Sequence, residues 1–332
     1  MGITILRPNS GARIHTIKGV AVGASGAGKT TWLASTPRPL YAITKSEQKD
    51  ASTIQRINPD ATVVPVNSWQ EFRELWELVK MAGQCEIEGP DGQPQPACFI
   101  EVGGQRIEFQ TFVGDGFTDL QRMMLARTLG LKYEDHDVLN FEAATRNLAE
   151  RDWGRVLDAC ELVWRETAGL PCNAFWSFLA ETKFVASTEG AAERPFLLPA
   201  MYGKKAPFRL SGYFNVGGYF TTRAAGPRVE HVARWSLPGG VFCKGLHGWP
   251  QVTASSPVDR TGRLTTPGQT TLGSLLRWSF PDGQVAWADG DDAAHVEGQL
   301  GAPVGDIDTP PAAVGAPAPA ADKPEGRRRR RS

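Results

Sequence analysis

The sequence predicts an α/β fold built on a mainly parallel sheet flanked by helices, and three observations carry that prediction. The stretch Gly23-Ala24-Ser25-Gly26-Ala27-Gly28-Lys29-Thr30 is a complete GxxxxGK[ST] phosphate-binding loop. It stands between an apolar run, Val20-Ala21-Val22, and a helix-compatible segment from Thr30 to Ser35, the setting such a loop needs. Strand-like and helix-like segments then alternate through the N-terminal part, as a parallel sheet covered by helices requires.

Each position of the loop has a physical role. Glycines let backbone N–H groups turn inward onto phosphate oxygens, and the following helix directs the positive end of its dipole at them. The candidate nucleotide-binding set is Gly23, Ala24, Ser25, Gly26, Ala27, Gly28, Lys29, Thr30 and Thr31. Lys29 is placed to reach the terminal phosphates. The Thr30 hydroxyl is the expected ligand of Mg²⁺, an ion that keeps waters and bridges two phosphates.

Candidate strands run over Ile17 to Val22, Leu40 to Thr44, Thr62 to Val66, Arg106 to Val113 and Ala174 to Leu179. Ser68 opens a capping box with Glu71. Trp69, Phe72, Leu75, Trp76 and Val79 recur at helical spacing, which predicts an amphipathic helix to about Ala82 with its aromatics in the core. Two further helices are expected over Phe117 to Leu129 and Asp152 to Thr167, the second stopped by Gly169-Leu170-Pro171. Between the capped helix and the fourth strand, residues 83–105 read as an insertion. Its Gly103-Gly104 pair, flanked by Cys98 to Val102 and Arg106 to Gln110, predicts a β-hairpin.

These elements place an ATPase-type core at residues 1–185. Residues 186–287 are dominated by Gly, Pro, aromatic and β-branched residues and read as short strands and loops, either a β-rich continuation of the core or a small subdomain. Residues 288–332 are rich in Ala, Pro, Gly and Asp and predict a disordered tail, because such a composition cannot bury enough apolar surface to fold. The run Arg327 to Arg331 that ends it either meets nucleic-acid phosphates or is a solubilising terminus.

Composition narrows the classes. The chain has 332 residues, 41% hydrophobic and 22% charged, enough to bury a full core. It contains no run of about 18 apolar residues and no secretory pattern, so neither membrane insertion nor secretion is expected. Five cysteines, Cys85, Cys98, Cys160, Cys172 and Cys243, show no CxxC or Cys/His spacing, and an odd count suggests neither a disulfide framework nor a zinc site. A reducing cytoplasm is the expected location. A formal net charge of zero restricts any nucleic-acid affinity to a local patch.

A phosphate-binding loop needs an acidic residue at the end of a neighbouring strand to hold the Mg²⁺ water shell. Asp115 fits, at the end of the extended run Phe109 to Gly114 and just before a helix, while Asp119 belongs on that helix. Hydrolysis also needs a residue that orients or deprotonates water. Glu47, just after the strand Leu40 to Thr44, is the candidate, and a surface glutamate in a loop has the same appearance in sequence.

The order of these features resembles phage-encoded RecA-like P-loop nucleotide-binding proteins, including the Sak-type ATPases of single-strand annealing. The features are the loop, Thr36-Pro37-Arg38-Pro39-Leu40, the strand with Glu47, Gly114-Asp115-Gly116-Phe117-Thr118-Asp119-Leu120, a long helix and Leu170-Pro171-Cys172-Asn173. The resemblance covers about Ile14 to Thr222 and includes Pro199-Ala200-Met201-Tyr202-Gly203-Lys204-Lys205, similar to the family's Pro-x-x-x-Gly-Lys stretch.

The resemblance implies a RecA-like core, protomers side by side in a ring or filament with ATP between neighbours, and Glu47 as the catalytic glutamate. It implies action on single-stranded DNA in recombination, annealing or replication, within a host cytoplasm if phage-encoded. Lys204, Lys205 and Arg209 are then placed either to act across a subunit interface or, with Tyr202, Phe208, Tyr213 and Phe214 among them, to contact DNA. A basic surface loop is the plainer reading of the same residues. This chain departs from the family pattern at Lys45, Gly116, and Leu179 with Ala180, where a polar γ-phosphate sensor is usual and Ser177 or Glu181 are poor substitutes. Two other classes share the loop: a nucleotide-held assembly switch with little turnover, and a small-molecule kinase, for which residues 120–170 offer only dispersed arginines.

Overall fold

The computed structural model describes residues 16–89, 92–130, 150–185, 194–202, 206–225, 228–235, 244 and 252–254. The expected tail, with Arg327 to Arg331, lies outside them, as do Lys204 and Lys205.

Strand β1 (Lys18–Gly23) leads into the phosphate loop and helix α1 (Lys29–Ala34). Strand β2 (Pro39–Thr44), a 3-10 turn over Lys45–Asp50, helix α2 (Ala51–Ile57), strand β3 (Thr62–Val66) and helix α3 (Trp69–Lys80) follow. The α3 N-terminus forms as its sequence dictates. The Ser68 hydroxyl accepts the Glu71 N–H at 3.2 Å, and the Glu71 carboxylate reaches back to the Asn67 N–H at 2.8 Å.

Residues after α3 make a separate three-stranded antiparallel sheet of β4 (Gly83–Glu88), β5 (Pro94–Val102) and β6 (Gln105–Phe109), with the expected hairpin at Gly103-Gly104. Here the structure corrects one expected element. The extended run Arg106 to Val113 is two strands in two sheets, for β7 (Thr111–Asp115) belongs to the main sheet. Gln110 is the pivot: its amide donates to Gln95 at 3.2 Å and to the Pro96 carbonyl at 3.1 Å, and its own carbonyl accepts from the Asn173 backbone at 3.1 Å. No Gly or Pro marks this change of partners, so periodicity alone reads one strand.

Helix α4 (Phe117–Thr128), helix α5 (Glu150–Ala168), β8 (Asn173–Val185), β9 (Arg194–Pro199), a short helix α6 (Ala206–Leu210), β10 (Val216–Ala225), β11 (Arg228–Arg234) and β12 (Val252–Ala254) complete the described chain. The main sheet runs β12-β11-β10-β1-β8-β7-β2-β3. Neighbours from β10 to β3 are parallel, and β11 and β12 add antiparallel strands beyond β10. Strand β8 runs on past Leu179, and that extension pairs with β9. The strand bearing the phosphate loop and the strand ending in Asp115 are thus separated by β8, the order of a RecA-like P-loop core.

The sequence of β1, β2 and β7 is apolar because both faces of these strands are covered, and every residue in them is buried. Alternation still sorts side chains between the two faces. Ala174, Trp176 and Phe178 join Phe72, Trp76, Phe112, Phe117 and Trp164 on one face, under α3, α4 and α5. Phe175 joins Trp32, Tyr41, Ile54, Phe220 and Trp235 on the other, under α1 and α2. Among the described residues no helix is long and apolar enough to cross a membrane.

Candidate nucleotide site

The predicted site residues converge at the carboxyl ends of β1, β2 and β7, where parallel α/β sheets bind ligands. Gly26 and Gly28 hold φ of 74° and 89°, a left-handed conformation that costs glycine nothing and turns the loop over the start of α1. Gly28 caps that helix without a side-chain hydrogen bond, so the first turn presents its backbone to the loop. The far side of the loop is walled by His231 of β11, whose Nδ1 would stand 3.2 Å from a Cβ at Gly28. Lys29 is buried and donates to the carbonyls of Gly23 at 2.9 Å and Ala24 at 2.8 Å. Burial lowers its pKa, opposed by the charges of Asp115, Glu47 and Asp50 in that order.

Asp115 ends β7 and is 3% exposed. Its Oδ2 accepts the Thr30 hydroxyl at 3.0 Å, and its Oδ1 accepts the Ser177 hydroxyl. Ser177 also receives the Gly116 N–H at 2.8 Å. The insertion of β8 between β1 and β7 makes this possible, because Ser177 pairs in register with Ala21 beside the loop strand. The Tyr41 hydroxyl donates to the Thr30 carbonyl at 3.3 Å and braces the same helix turn. Burial raises the Asp115 pKa, while the hydrogen bonds from Ser177 and Thr30 and the charge of Lys29 hold it down.

Glu47 lies in the 3-10 turn that follows β2 and is half-buried. Gly116, with φ of 95°, starts α4 directly opposite: a Cβ there would run into the Thr44 hydroxyl and stand 3.4 Å from Glu47 Cγ. The Glu47 pKa is raised, first by burial and then by the charges of Asp115 and Asp50. A carboxylate made more basic beside a second carboxylate is a candidate proton acceptor. Asp119 sits in the first turn of α4, 3.5 Å from Arg122, as expected for a helix residue.

The donor set fits Mg²⁺ with a nucleoside polyphosphate. It offers one carboxylate and one hydroxyl in contact, beside a lysine and a glycine-rich turn. Among the described residues no group of three His, Cys, Asp or Glu side chains could hold a metal alone. Mg²⁺ shared with phosphates needs no such cage.

Other expected residues stand elsewhere. The strand expected to end at Leu179 continues to Val185, and where it passes the end of β7 it offers no polar side chain at Leu179, 38% exposed, or Ala180, partly buried, while Glu181 ion-pairs with Lys183. Arg209 is tied to α5 by an ion pair with Glu161 at 2.6 Å, and the Tyr213 hydroxyl donates to the same carboxylate at 3.3 Å. Sequence reasoning missed the roles of Tyr41, Asp50 and Ser177 at this site. A hydroxyl at the fourth position of a predicted central strand was the available signal for Ser177, since a buried polar group there needs a partner.

Fold and site together define a RecA-like P-loop protein. No protein-family model matches the chain, and no curated protein does. Among solved structures it is similar to the flagellar accessory protein FlaH from Methanocaldococcus jannaschii at 8% identity and a TM-score of 0.30, over 67% of this chain and 78% of that one. It is also similar to a KaiC-like protein from Pyrococcus horikoshii OT3 at 8% identity and a TM-score of 0.28, over 66% and 77%. The class assignment rests on the strand order and the loop, not on these likenesses.

Proposed function

We propose that the chain is a Mg²⁺-dependent, ATP-binding and ATP-hydrolysing RecA-like protein that acts on single-stranded DNA in phage-type recombination, annealing or replication. The contact of Thr30 with Asp115 at 3.0 Å, next to Lys29, carries the nucleotide part of this reading. Lys29 supplies positive charge to the terminal phosphates, and the loop backbone and α1 orient them. Thr30 and Asp115 would hold Mg²⁺, which would supply charge neutralisation for the phosphates, and Ser177 fixes the Asp115 carboxylate for that task. Glu47 accepts the proton of the attacking water.

The DNA role rests on the family-like order of motifs, with Arg327 to Arg331 as a phosphate-binding element. Side-by-side assembly into a ring or filament with Lys204, Lys205 or Arg209 acting in trans is part of the same proposal. For Arg209 it requires the ion pair with Glu161 to open.

The second reading, a nucleotide-held switch with little turnover, is favoured by one observation: Leu179, where β8 passes beyond the end of β7, is apolar and partly exposed. Steady-state ATP turnover with Mg²⁺, with and without single-stranded DNA, separates the two. DNA-stimulated turnover that is lost in both Lys29→Ala and Glu47→Gln supports the motor or annealing reading. Tight binding with no turnover at any protein concentration transfers the protein to the switch class, and phosphate transfer to a nucleoside panel transfers it to the kinases.

A further inference from the structure

The opposite end of the sheet holds a second cluster of reactive groups that the nucleotide site does not use. Lys18 begins β1 and Gly23 ends it, so the cluster lies about 17 Å along the strand from the phosphate loop. Cys172 precedes β8, and Cys98 lies on β5 of the inserted sheet. Both are buried, and their thiols hydrogen-bond to each other. The Lys18 ammonium donates to the carbonyls of Leu170, at 2.8 Å, and Cys172. It has no carboxylate partner among its hydrogen bonds there, and the acidic groups that act on it are the two thiols.

A cleft of about 290 Å³ opens onto this pair, lined by Cys85, Cys98, Gln110 and Cys172 among others. Cys98 and Cys172 both line this one opening while only 2% and 4% exposed. The hydrogen bond from Cys98 and the nearby ammonium lower the Cys172 pKa, which gives this thiol more thiolate character than a buried cysteine ordinarily has. Cys98 is shifted the other way, by that hydrogen bond and by burial. The Lys18 ammonium, held on the carbonyl of Cys172 itself, places its positive charge beside Cys172, which makes Cys172 the nucleophile and Cys98 the resolving thiol.

We infer that Cys98 and Cys172 form a peroxide-oxidisable thiol pair that joins the inserted three-stranded sheet to the base of the nucleotide-binding core. The Cys172 thiolate attacks one oxygen of a peroxide and the O–O bond breaks. The departing oxygen leaves as water once protonated, and Cys172 becomes a sulfenic acid. The Cys98 sulfur then attacks the sulfenic sulfur. Its proton leaves with the displaced hydroxide as a second water, so two thiols and one hydrogen peroxide give one disulfide and two waters. Thiol reductants reverse the reaction.

The test is hydrogen peroxide titration of the folded, full-length protein, read by intact mass and non-reducing peptide mapping. The expected result is a loss of about 2 Da with a single Cys98–Cys172 cross-linked peptide, reversed by dithiothreitol. Cys98→Ser should leave Cys172 as a sulfenic acid that a dimedone probe traps, and Lys18→Met should slow its formation at least about threefold. Cys85→Ser and Cys243→Ser should leave the cross-link unchanged. The inference is overturned if the folded wild-type protein keeps both thiols under peroxide that oxidises the guanidinium-unfolded chain, or if the cross-link formed is a different one.

Discussion

Ser177 donates to the carboxylate of Asp115 and accepts, at 2.8 Å, the N–H of Gly116, the next residue along the chain. One hydroxyl from β8 thus fixes both the proposed Mg²⁺-holding side chain and the backbone that starts α4. Groups that orient a metal ligand are worth about 10- to 100-fold in metal affinity. Ser177→Ala should raise the Mg²⁺ concentration for half-maximal ATP binding about tenfold, while binding measured in EDTA stays unchanged. Fluorescent-nucleotide titrations at fixed ATP and varied Mg²⁺ check this.

Gly114 packs its Cα against the indole of Trp176, where a Cβ would collide with the ring. That indole cannot move aside, because it sits among Phe72, Trp76, Phe112 and Phe117 and donates to the Thr167 hydroxyl at 3.1 Å. Gly114→Ala is predicted to lower stability by about 2–3 kcal/mol through overpacking. Urea unfolding followed by tryptophan fluorescence gives the value, and a change within about 0.5 kcal/mol contradicts the packing account.

Glu47 and Asp115 face one carboxylate-rich corner, but only Glu47 is assigned to proton transfer. Glu47→Gln should therefore keep ATP affinity within about threefold and lower turnover at least a hundredfold. Isothermal titration and a phosphate-release assay on the same preparation separate the two effects. An equal loss in affinity would make Glu47 a binding residue.

Lys18 makes stability depend on alkaline pH. Burial lowers its folded pKa to about 8 from an ordinary 10.5, so between those values the unfolded chain binds more protons than the folded one. Stability therefore rises with pH across that window. The penalty of the buried ammonium is fully present below about pH 8 and is relieved towards pH 10.5. Relative to Lys18→Met, the wild-type protein should gain about 3 kcal/mol over the window. Parallel urea midpoints for the two proteins from pH 7.5 to 10.5 contradict it.

The nucleotide loop was legible because its chemistry is local: glycines, lysine and threonine are contiguous, and the strand and helix around them follow from periodicity. Asp115 was legible as the end of an apolar run. Ser177 was not, since its role depends on β8 lying between β1 and β7, a pairing made across a long stretch of chain. The split of the Arg106 to Val113 run at Gln110 was hidden for the same reason. The residue is extended on both sides, and only its side-chain hydrogen bonds reveal the change of sheet. The thiol pair escaped too, because Cys98 and Cys172 are far apart in sequence and share no motif spacing.

The central claim, a Mg²⁺-nucleotide held between Lys29, Thr30 and Asp115, is tested most directly by isothermal titration of ATP with Mg²⁺ into the wild-type protein, Lys29→Ala and Asp115→Asn. The account predicts one ATP per chain for the wild type, with affinity at least a hundredfold weaker in Lys29→Ala and no Mg²⁺ enhancement left in Asp115→Asn. Equal ATP affinity in all three proteins, each shown to be folded by circular dichroism, would contradict it.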